Sequence, residues 1–210
     1  SKTGTGFFIT AQGHLLTSHH LIANGRKIEV RTHTGNYAAE LIKADAGNDI
    51  ALLQIKTRTT PLMLTTQVAP RLGQSVFTIG FPNPKVQGIS SKYTEGRIIS
   101  LFGLKDDPRL LQVSVPVQPG NSGGALIDEK GTAIGMITFR LDDLKTYNIT
   151  GSLPQNVNYA LRSSQIRGFL ATIPLVQARL PQPNSTPQSV SYDAAIETAQ
   201  KATAFILVHD

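Results

Sequence analysis

The sequence has no cysteine, so disulfide bonds and thiolate metal sites are both excluded. No stretch approaches the roughly 20 apolar residues that a membrane-spanning helix needs, and we expect no membrane span. The zinc-peptidase pattern H-E-x-x-H is also missing. A histidine-based metal protein would have to cluster His14, His19, His20 and His33 without such a pattern. We therefore expect neither a metal nor a cofactor.

Positive charge exceeds negative charge but is not concentrated. Twenty Lys and Arg residues stand against fourteen Asp and Glu residues, which gives a net charge of +6. The densest basic stretches are short, such as Arg26-Lys27, and no aromatic residues interleave with them. A scattered positive balance is typical of an ordinary protein surface, and we expect no nucleic-acid partner.

The residues that are present indicate a globular, mostly β protein. Hydrophobic residues make up 40% of the chain, and 18 glycines and 12 prolines punctuate it. Strand-like segments fall into two groups, separated near residues 57–73 by a stretch that carries Pro61 and Pro70. Two packed β-barrels of about six strands each, at about residues 1–60 and 70–160, would use these segments.

The C-terminal part has a different pattern. Apolar spacing predicts a helix at about residues 161–172, ending before Pro174. Residues 181–190 have the composition of a linker. Residues 191–210 then predict a helix capped by Ser191 and an apolar strand that needs a partner.

The strongest chemical signal is Gln118-Pro-Gly-Asn-Ser-Gly-Gly124. Glycines around Ser122 allow a tight turn that aims backbone N–H groups at a ligand. A serine nucleophile needs a base and donors for the developing oxyanion, and we expect the N–H groups of Gly120, Asn121 and Ser122 to supply those donors. The string also fits the α/β-hydrolase nucleophile elbow, but that family places its Asp and His after the serine. Only His209 follows Ser122, so the order His, Asp, Ser is favoured.

Two pairs of residues compete for the other catalytic positions. His19 and His20 follow a strand that ends at Thr17, and we prefer His20 because the apolar Leu21-Ile22 would hold it in place. Asp49 directly precedes the apolar run 50–55, whereas Asp45 lies in a turn-like stretch where an aspartate commonly serves the turn alone. We therefore predict Asp49 as the carboxylate that orients the histidine.

Four motifs in register resemble one family. Gly4-Thr-Gly-Phe-Phe-Ile9, Gly13-His-Leu-Leu-Thr-Ser-His-His20, Asp49-Ile-Ala-Leu-Leu-Gln-Ile55 and Pro119-Gly-Asn-Ser-Gly-Gly124 are similar to trypsin-like peptidases of the HtrA/Deg type. The resemblance spans roughly residues 4–172. Residues 173–210 are too few for the PDZ domain that usually follows in that family, so its regulation, chaperone role and trimer are not carried over.

The resemblance implies an all-β fold, a double six-stranded β-barrel of the chymotrypsin kind with short C-terminal helices. Residues 1–180 would form the protease domain. His20, Asp49 and Ser122 would be a catalytic triad that cuts unfolded or flexible polypeptides, and the compartment would be periplasmic or secreted. A catalytically silent module that binds unfolded polypeptide is the alternative. Loop 101–109 is where an active site closed at rest would be controlled.

By the same analogy, the specificity pocket has its floor at Pro116 and its walls at Thr138, Phe139, Arg140 and Tyr159. Proline at the floor argues against cleavage after Lys or Arg, because an acidic floor would be needed to select them. The two aromatic rings would favour small or medium apolar side chains, unless both simply pack in the core.

The last segment resembles the strand that usually precedes the first motif in this family. Residues 191–210 would complete the first barrel of their own chain, pair with a neighbouring molecule, or begin a further repeat. The second placement would make this segment a site of self-association.

Overall fold

The computed structural model describes residues 1–65, 69–138, 158–183 and 189–210. This part of the chain is built mainly from strands. They are β1 (Lys2–Phe8), β2 (His14–Thr17), β3 (Lys27–Thr32), β4 (Gly35–Asp45), β5 (Ile50–Ile55), β6 (Met63–Leu64), β7 (Ser75–Gly80), β8 (Lys92–Ser100), β9 (Leu110–Val113), β10 (Ala125–Asp128), β11 (Thr132–Thr138), β12 (Asn158–Arg162) and β13 (Thr203–His209).

The helices are short. They are α1 (His19–Ile22), α2 (Pro84–Gln87), α3 (Ser163–Ala171), α4 (Pro174–Gln177) and α5 (Tyr192–Ala202), with a 3-10 turn at Leu104–Asp106. Helix α3 begins two residues later than the apolar spacing predicts, because Leu161 and Arg162 are still paired in the sheet with β11.

The strands close into two barrels. The first has the order β1-β13-β3-β4-β5-β2, and the second runs β10-β7-β8-β9-β12-β11 and closes through pairing of β10 with β11. All of these neighbours are antiparallel, and the short β6 adds to β11 in parallel. The predicted double six-stranded barrel is therefore confirmed.

The strand sequences read as continuous apolar runs because both faces of many strands are buried. Phe8 and Leu15 point into the first barrel, whereas their neighbours Phe7 and Leu16 join a cluster shared by the two barrels. That shared cluster also contains Phe77 from the second barrel, and all five side chains are at most 1% exposed. The layer between the barrels is thus as well shielded from solvent as either barrel interior.

The strand β13 lies within the first barrel of its own chain. It pairs with β1 on one side, Ile206 opposite Gly4, and with β3 on the other, Ile206 opposite Val30. Helix α5 precedes it, and the Ser191 side chain accepts the N–H of Ala194 at 3.2 Å, the predicted cap.

At its first residue, α5 also contacts the second barrel. The Tyr192 ring meets Phe77 edge-on, with a centroid distance of 5.6 Å, and the Tyr192 hydroxyl lies 2.6 Å from that of Tyr93. Residues 192–209 therefore contact both barrels, the helix on the second and the strand within the first.

Candidate active site

His20 and Asp49 meet at the edge of the first barrel. His20 lies in α1, one turn after β2, and Asp49 directly precedes β5, the strand that pairs with β2. The Asp49 carboxylate accepts the His20 backbone N–H at 2.8 Å through Oδ1, and its Oδ2 lies 2.8 Å from His20 Nδ1. Because a carboxylate only accepts, the ring proton belongs on Nδ1, which leaves Nε2 of the neutral ring as an acceptor.

The two side chains differ in their exposure to solvent. The Asp49 side chain is 13% exposed and the His20 side chain 40%. The carboxylate is thus shielded, while the imidazole has a free edge toward solvent. His20 contacts the Asp49 side chain, whereas His19 reaches Asp49 through its backbone N–H, at 3.2 Å from the Asp49 carbonyl oxygen.

Asp49 is held in a left-handed backbone conformation, with φ of 53°. The turn before it is organised by Asp45, whose carboxylate accepts the N–H groups of Gly47 and Asn48 and the Asn48 side-chain amide. These hydrogen bonds, the Asn48 side chain first among them, lower the pKa of Asp45. Asp45 therefore serves the turn, and Asp49 faces the histidine.

The second barrel also contacts this turn. The Arg109 guanidinium, bound to Asp107 at 2.8 Å, reaches the Gly47 carbonyl at 3.3 Å. The Thr138 hydroxyl at the end of β11 lies 3.3 Å from Asp49 Oδ2 and donates to it. Sequence reasoning placed Thr138 in a pocket wall and missed this contact, because nothing in a local pattern links positions 89 residues apart.

The Ser122 loop depends on two left-handed glycines. Gly120 has φ of +103° and Gly123 of +88°. A Cβ at Gly120 would lie 2.4 Å from the Phe81 carbonyl oxygen, and one at Gly123 would lie 2.2 Å from the Thr5 carbonyl oxygen. No other residue type fits these two positions without moving backbone. Gly120 thus lets the loop approach the segment after β7, and Gly123 lets it approach the first barrel.

This close packing brings the serine loop to the histidine. A Cβ at Gly123 would lie 2.5 Å from Thr17 Oγ1 and 2.9 Å from the Ser18 N atom, and these two residues immediately precede α1. Ser122 itself is 6% exposed. The Ser122 loop therefore packs against β1 and against the residues that directly precede the helix of His20.

The backbone N–H groups of the loop divide into two kinds. The Asn121 N–H donates to the Gln118 carbonyl at 3.0 Å, so it is used within the turn, contrary to our expectation of an oxyanion donor. Among the described residues, the N–H groups of Gly120 and Ser122 have no acceptor. These two groups remain able to bind a ligand oxygen.

The predicted pocket residues are only partly described. Phe139 and Arg140 lie outside the described residues. Pro116 is exposed, and Tyr159 is half-buried, pairs with Thr138 across the sheet and packs on the cluster between the barrels. The specificity pocket stays a prediction.

The other histidines have different surroundings. His14 is buried with Nδ1 2.7 Å from the Thr10 hydroxyl, and burial lowers its pKa, which favours the neutral ring. Within the described ranges, no three His, Asp or Glu side chains come together as metal ligands. None of the helices described is long and apolar enough to cross a membrane.

Several known proteins are similar to this chain in sequence and fold. The family profile described as "trypsin-like peptidase domain" matches residues 4–136. The chain belongs to the trypsin-like peptidases. Within this family, serine protease HTRA1 of Xenopus tropicalis is 30% identical over 179 residues, which cover 81% of this chain and 36% of that protein. A probable periplasmic serine endoprotease, DegP-like, of Pseudomonas fluorescens is 35% identical over 139 residues, 63% of this chain and 28% of that protein.

Two further similar proteins extend the comparison. The protein y4bJ of Sinorhizobium fredii is 41% identical over 206 residues, 98% of this chain and 31% of that protein. The crystal structure of the serine endoprotease from Yersinia pestis superposes with a TM-score of 0.67 at 24% identity, over 83% of this chain and 57% of that chain. At that identity the likeness supports the fold alone. The chain spans about a third of the length of the curated relatives it matches.

Proposed function

We propose that this chain is a serine endopeptidase in which Ser122 is the nucleophile, His20 the general base and Asp49 the residue that orients it. The observation that carries the proposal is the 2.8 Å contact between His20 Nδ1 and Asp49 Oδ2, beside a glycine-flanked serine loop in a trypsin-like chain. Among the contacts of the described residues, no other histidine combines a carboxylate on one ring nitrogen with a predicted nucleophile loop alongside.

The chemistry follows from these groups. With its proton on Nδ1, His20 accepts the Ser122 hydroxyl proton at Nε2 as the oxygen attacks the peptide carbonyl carbon. His20 then gives that proton to the leaving amine, the C–N bond breaks, and an acyl-enzyme forms on Ser122. Water, deprotonated by His20, cleaves the ester and regenerates the serine.

The developing oxyanion needs preorganised donors. We propose the N–H groups of Gly120 and Ser122 for this role, since the Asn121 N–H is already bound to Gln118. Removing one such donor typically costs on the order of 10²–10³ in kcat. The Asp49 carboxylate, which accepts the His20 backbone N–H and the Thr138 hydroxyl, stabilises the imidazolium that forms.

A fluorophosphonate probe tests the proposal. The serine oxygen attacks phosphorus and fluoride leaves, so the probe reports an activated serine without any knowledge of the substrate. We expect one phosphonyl adduct per chain, located on Ser122 by peptide mass spectrometry, and none after denaturation. A folded chain that resists the probe and hydrolyses no unfolded protein would instead support the silent polypeptide-binding alternative.

We further propose polypeptides in unfolded or flexible form as substrates, with Pro116 at the base of the specificity pocket. An exposed proline offers no negative charge to a basic side chain. We therefore expect fragments of reduced casein to end mainly in small or medium apolar residues, as read by mass spectrometry, with trypsin digestion of the same casein as control. A majority of Lys or Arg ends would contradict this.

We also propose a periplasmic or secreted location. It rests on the relatives, several of which are named periplasmic serine endoproteases.

A further inference from the structure

We propose that Thr5 is a positioning residue for the oxyanion donors, tying the Ser122 loop of the second barrel to strand β1 of the first. The inference rests on the proposed function and assigns to this buried threonine a part in the same reaction. Thr5 is 0% exposed and cannot touch substrate, so its effect on catalysis has to pass through the loop.

Three hydrogen bonds join Thr5 to the loops around Ser122. Its hydroxyl donates to the Gly120 carbonyl at 2.6 Å and accepts the Phe81 N–H at 3.1 Å. Its backbone N–H donates to the Ser122 carbonyl at 3.2 Å. Thr5 thus holds the loop on both sides of Asn121: its hydroxyl proton is used on the Gly120 carbonyl, and one of its two lone pairs accepts the Phe81 N–H.

These bonds fix the peptide planes that flank the donors. A peptide is planar, so holding a carbonyl also holds the orientation of the N–H in the same plane. The Gly120 N–H shares its plane with the Pro119 carbonyl, which accepts the Asn83 N–H at 2.7 Å. The Ser122 N–H lies in the next plane but one, between the two carbonyls that Thr5 holds. Asn83 therefore fixes the first donor. The plane of the second donor is held by the Gly124 N–H, which the Asn121 carbonyl accepts at 3.0 Å, and Thr5 holds the peptide plane on either side of it.

The conformational freedom of the glycines makes the hydrogen bonds of Thr5 necessary. Gly120 and Gly123 reach conformations that other residues rarely adopt, but glycine also has many alternatives of similar energy. A loop with two such residues needs external partners to keep one arrangement. Thr5 supplies them from β1, which pairs with β2, the strand that leads to His20. The first barrel therefore positions both the oxyanion donors and the base.

The test compares Thr5→Val, which keeps the shape and removes the hydroxyl, with Thr5→Ser, which keeps the hydroxyl. We expect Thr5→Val to lower kcat on a peptide ester and the rate of fluorophosphonate labelling by about 100-fold, the effect of a misplaced oxyanion donor. KM should change by about twofold at most, since uniform binding is untouched. Thr5→Ser should stay within about threefold of the unaltered chain, because its hydroxyl can make both bonds.

Thr203→Val is the matched control. Its hydroxyl is also buried and donates to a carbonyl, that of Ala199 at 2.6 Å, but it lies away from the Ser122 loop. We expect it to lower the melting temperature without lowering kcat of the folded protein. Rates are taken per folded molecule, with the folded fraction at the assay temperature read from circular dichroism.

Each outcome of this comparison supports or overturns the role of Thr5. Equal kcat for folded Thr5→Val and Thr5→Ser would overturn the inference, as would a loss of kcat in Thr203→Val equal to that in Thr5→Val. If Thr5→Val does not fold, Thr5→Ala, which leaves space for water at the hydroxyl position, replaces it in the same comparison. An unaltered chain that resists labelling would count against the proposed function itself, whereas a reactive chain insensitive to Thr5→Val would count against Thr5 alone.

Discussion

Replacing Ser122 by alanine is expected to lower kcat about 10⁶-fold, and replacing His20 by alanine should cost about as much, because nucleophile and base act as a unit. Combining the two changes should add almost nothing, since either one removes the same acyl-enzyme pathway. Asp49→Asn is expected to lower kcat about 10⁴-fold. An asparagine amide can donate to Nδ1, so the ring proton moves to Nε2 and the base loses its acceptor.

The measurement is hydrolysis of an unfolded protein or peptide ester by each variant, with melting curves to establish that all are folded. His19→Ala and Asp45→Asn are the matched controls, one beside each proposed catalytic residue. We expect His19→Ala to keep nearly the activity of the unaltered chain, because His19 reaches Asp49 through its backbone N–H, which the substitution leaves in place. Asp45→Asn should act mainly on stability, through the turn. Activity lost in His19→Ala but kept in His20→Ala would reassign the base.

The proposed catalytic residues could be predicted from short motifs because the sequence around each of them is distinctive. Asp49 precedes an apolar strand and Ser122 stands among glycines, and both signals are local. The supporting contacts were not readable in this way. Thr5 reaches Gly120 across 115 positions and Thr138 reaches Asp49 across 89, and no local periodicity encodes such pairs. Thr5 lies inside the first of the four motifs, between Gly4 and Gly6, and such flanking glycines are a local sign of a close approach to another backbone.

The fold shows the same division. Apolar runs and turn residues predicted most strands and the two barrels, because strands buried on both faces leave continuous hydrophobic stretches. They could not decide where the final strand pairs, since an apolar segment such as Ala204–Val208 specifies a buried strand but no partner. Helix α3 was predicted to start two residues too early for a related reason. Leu161 fits a helical pattern, yet its pairing with Leu110 and Met136 keeps it in the sheet.

Removal of residues 203–210 is expected to abolish cooperative folding. The strand β13 pairs with both β1 and β3, so its loss opens the first barrel and leaves two unpaired edges. It also removes Ala204, Ile206 and Val208 from the barrel interior. Because β1 carries Thr5 and pairs with the strand that leads to His20, the shortened chain should also lack proteolytic activity.

Point variants separate the barrel interior from its surface. Ile206→Ala empties a site that is 0% exposed and should lower the free energy of unfolding by about 2–5 kcal/mol. Leu207→Ala, one position along on the half-buried face, should cost about 1 kcal/mol or less. Urea denaturation followed by circular dichroism measures both. Equal losses of unfolding free energy at the two positions would contradict this role of β13. A shortened chain that melts as the full chain does would also contradict it, because the first barrel would then be stable with its other five strands.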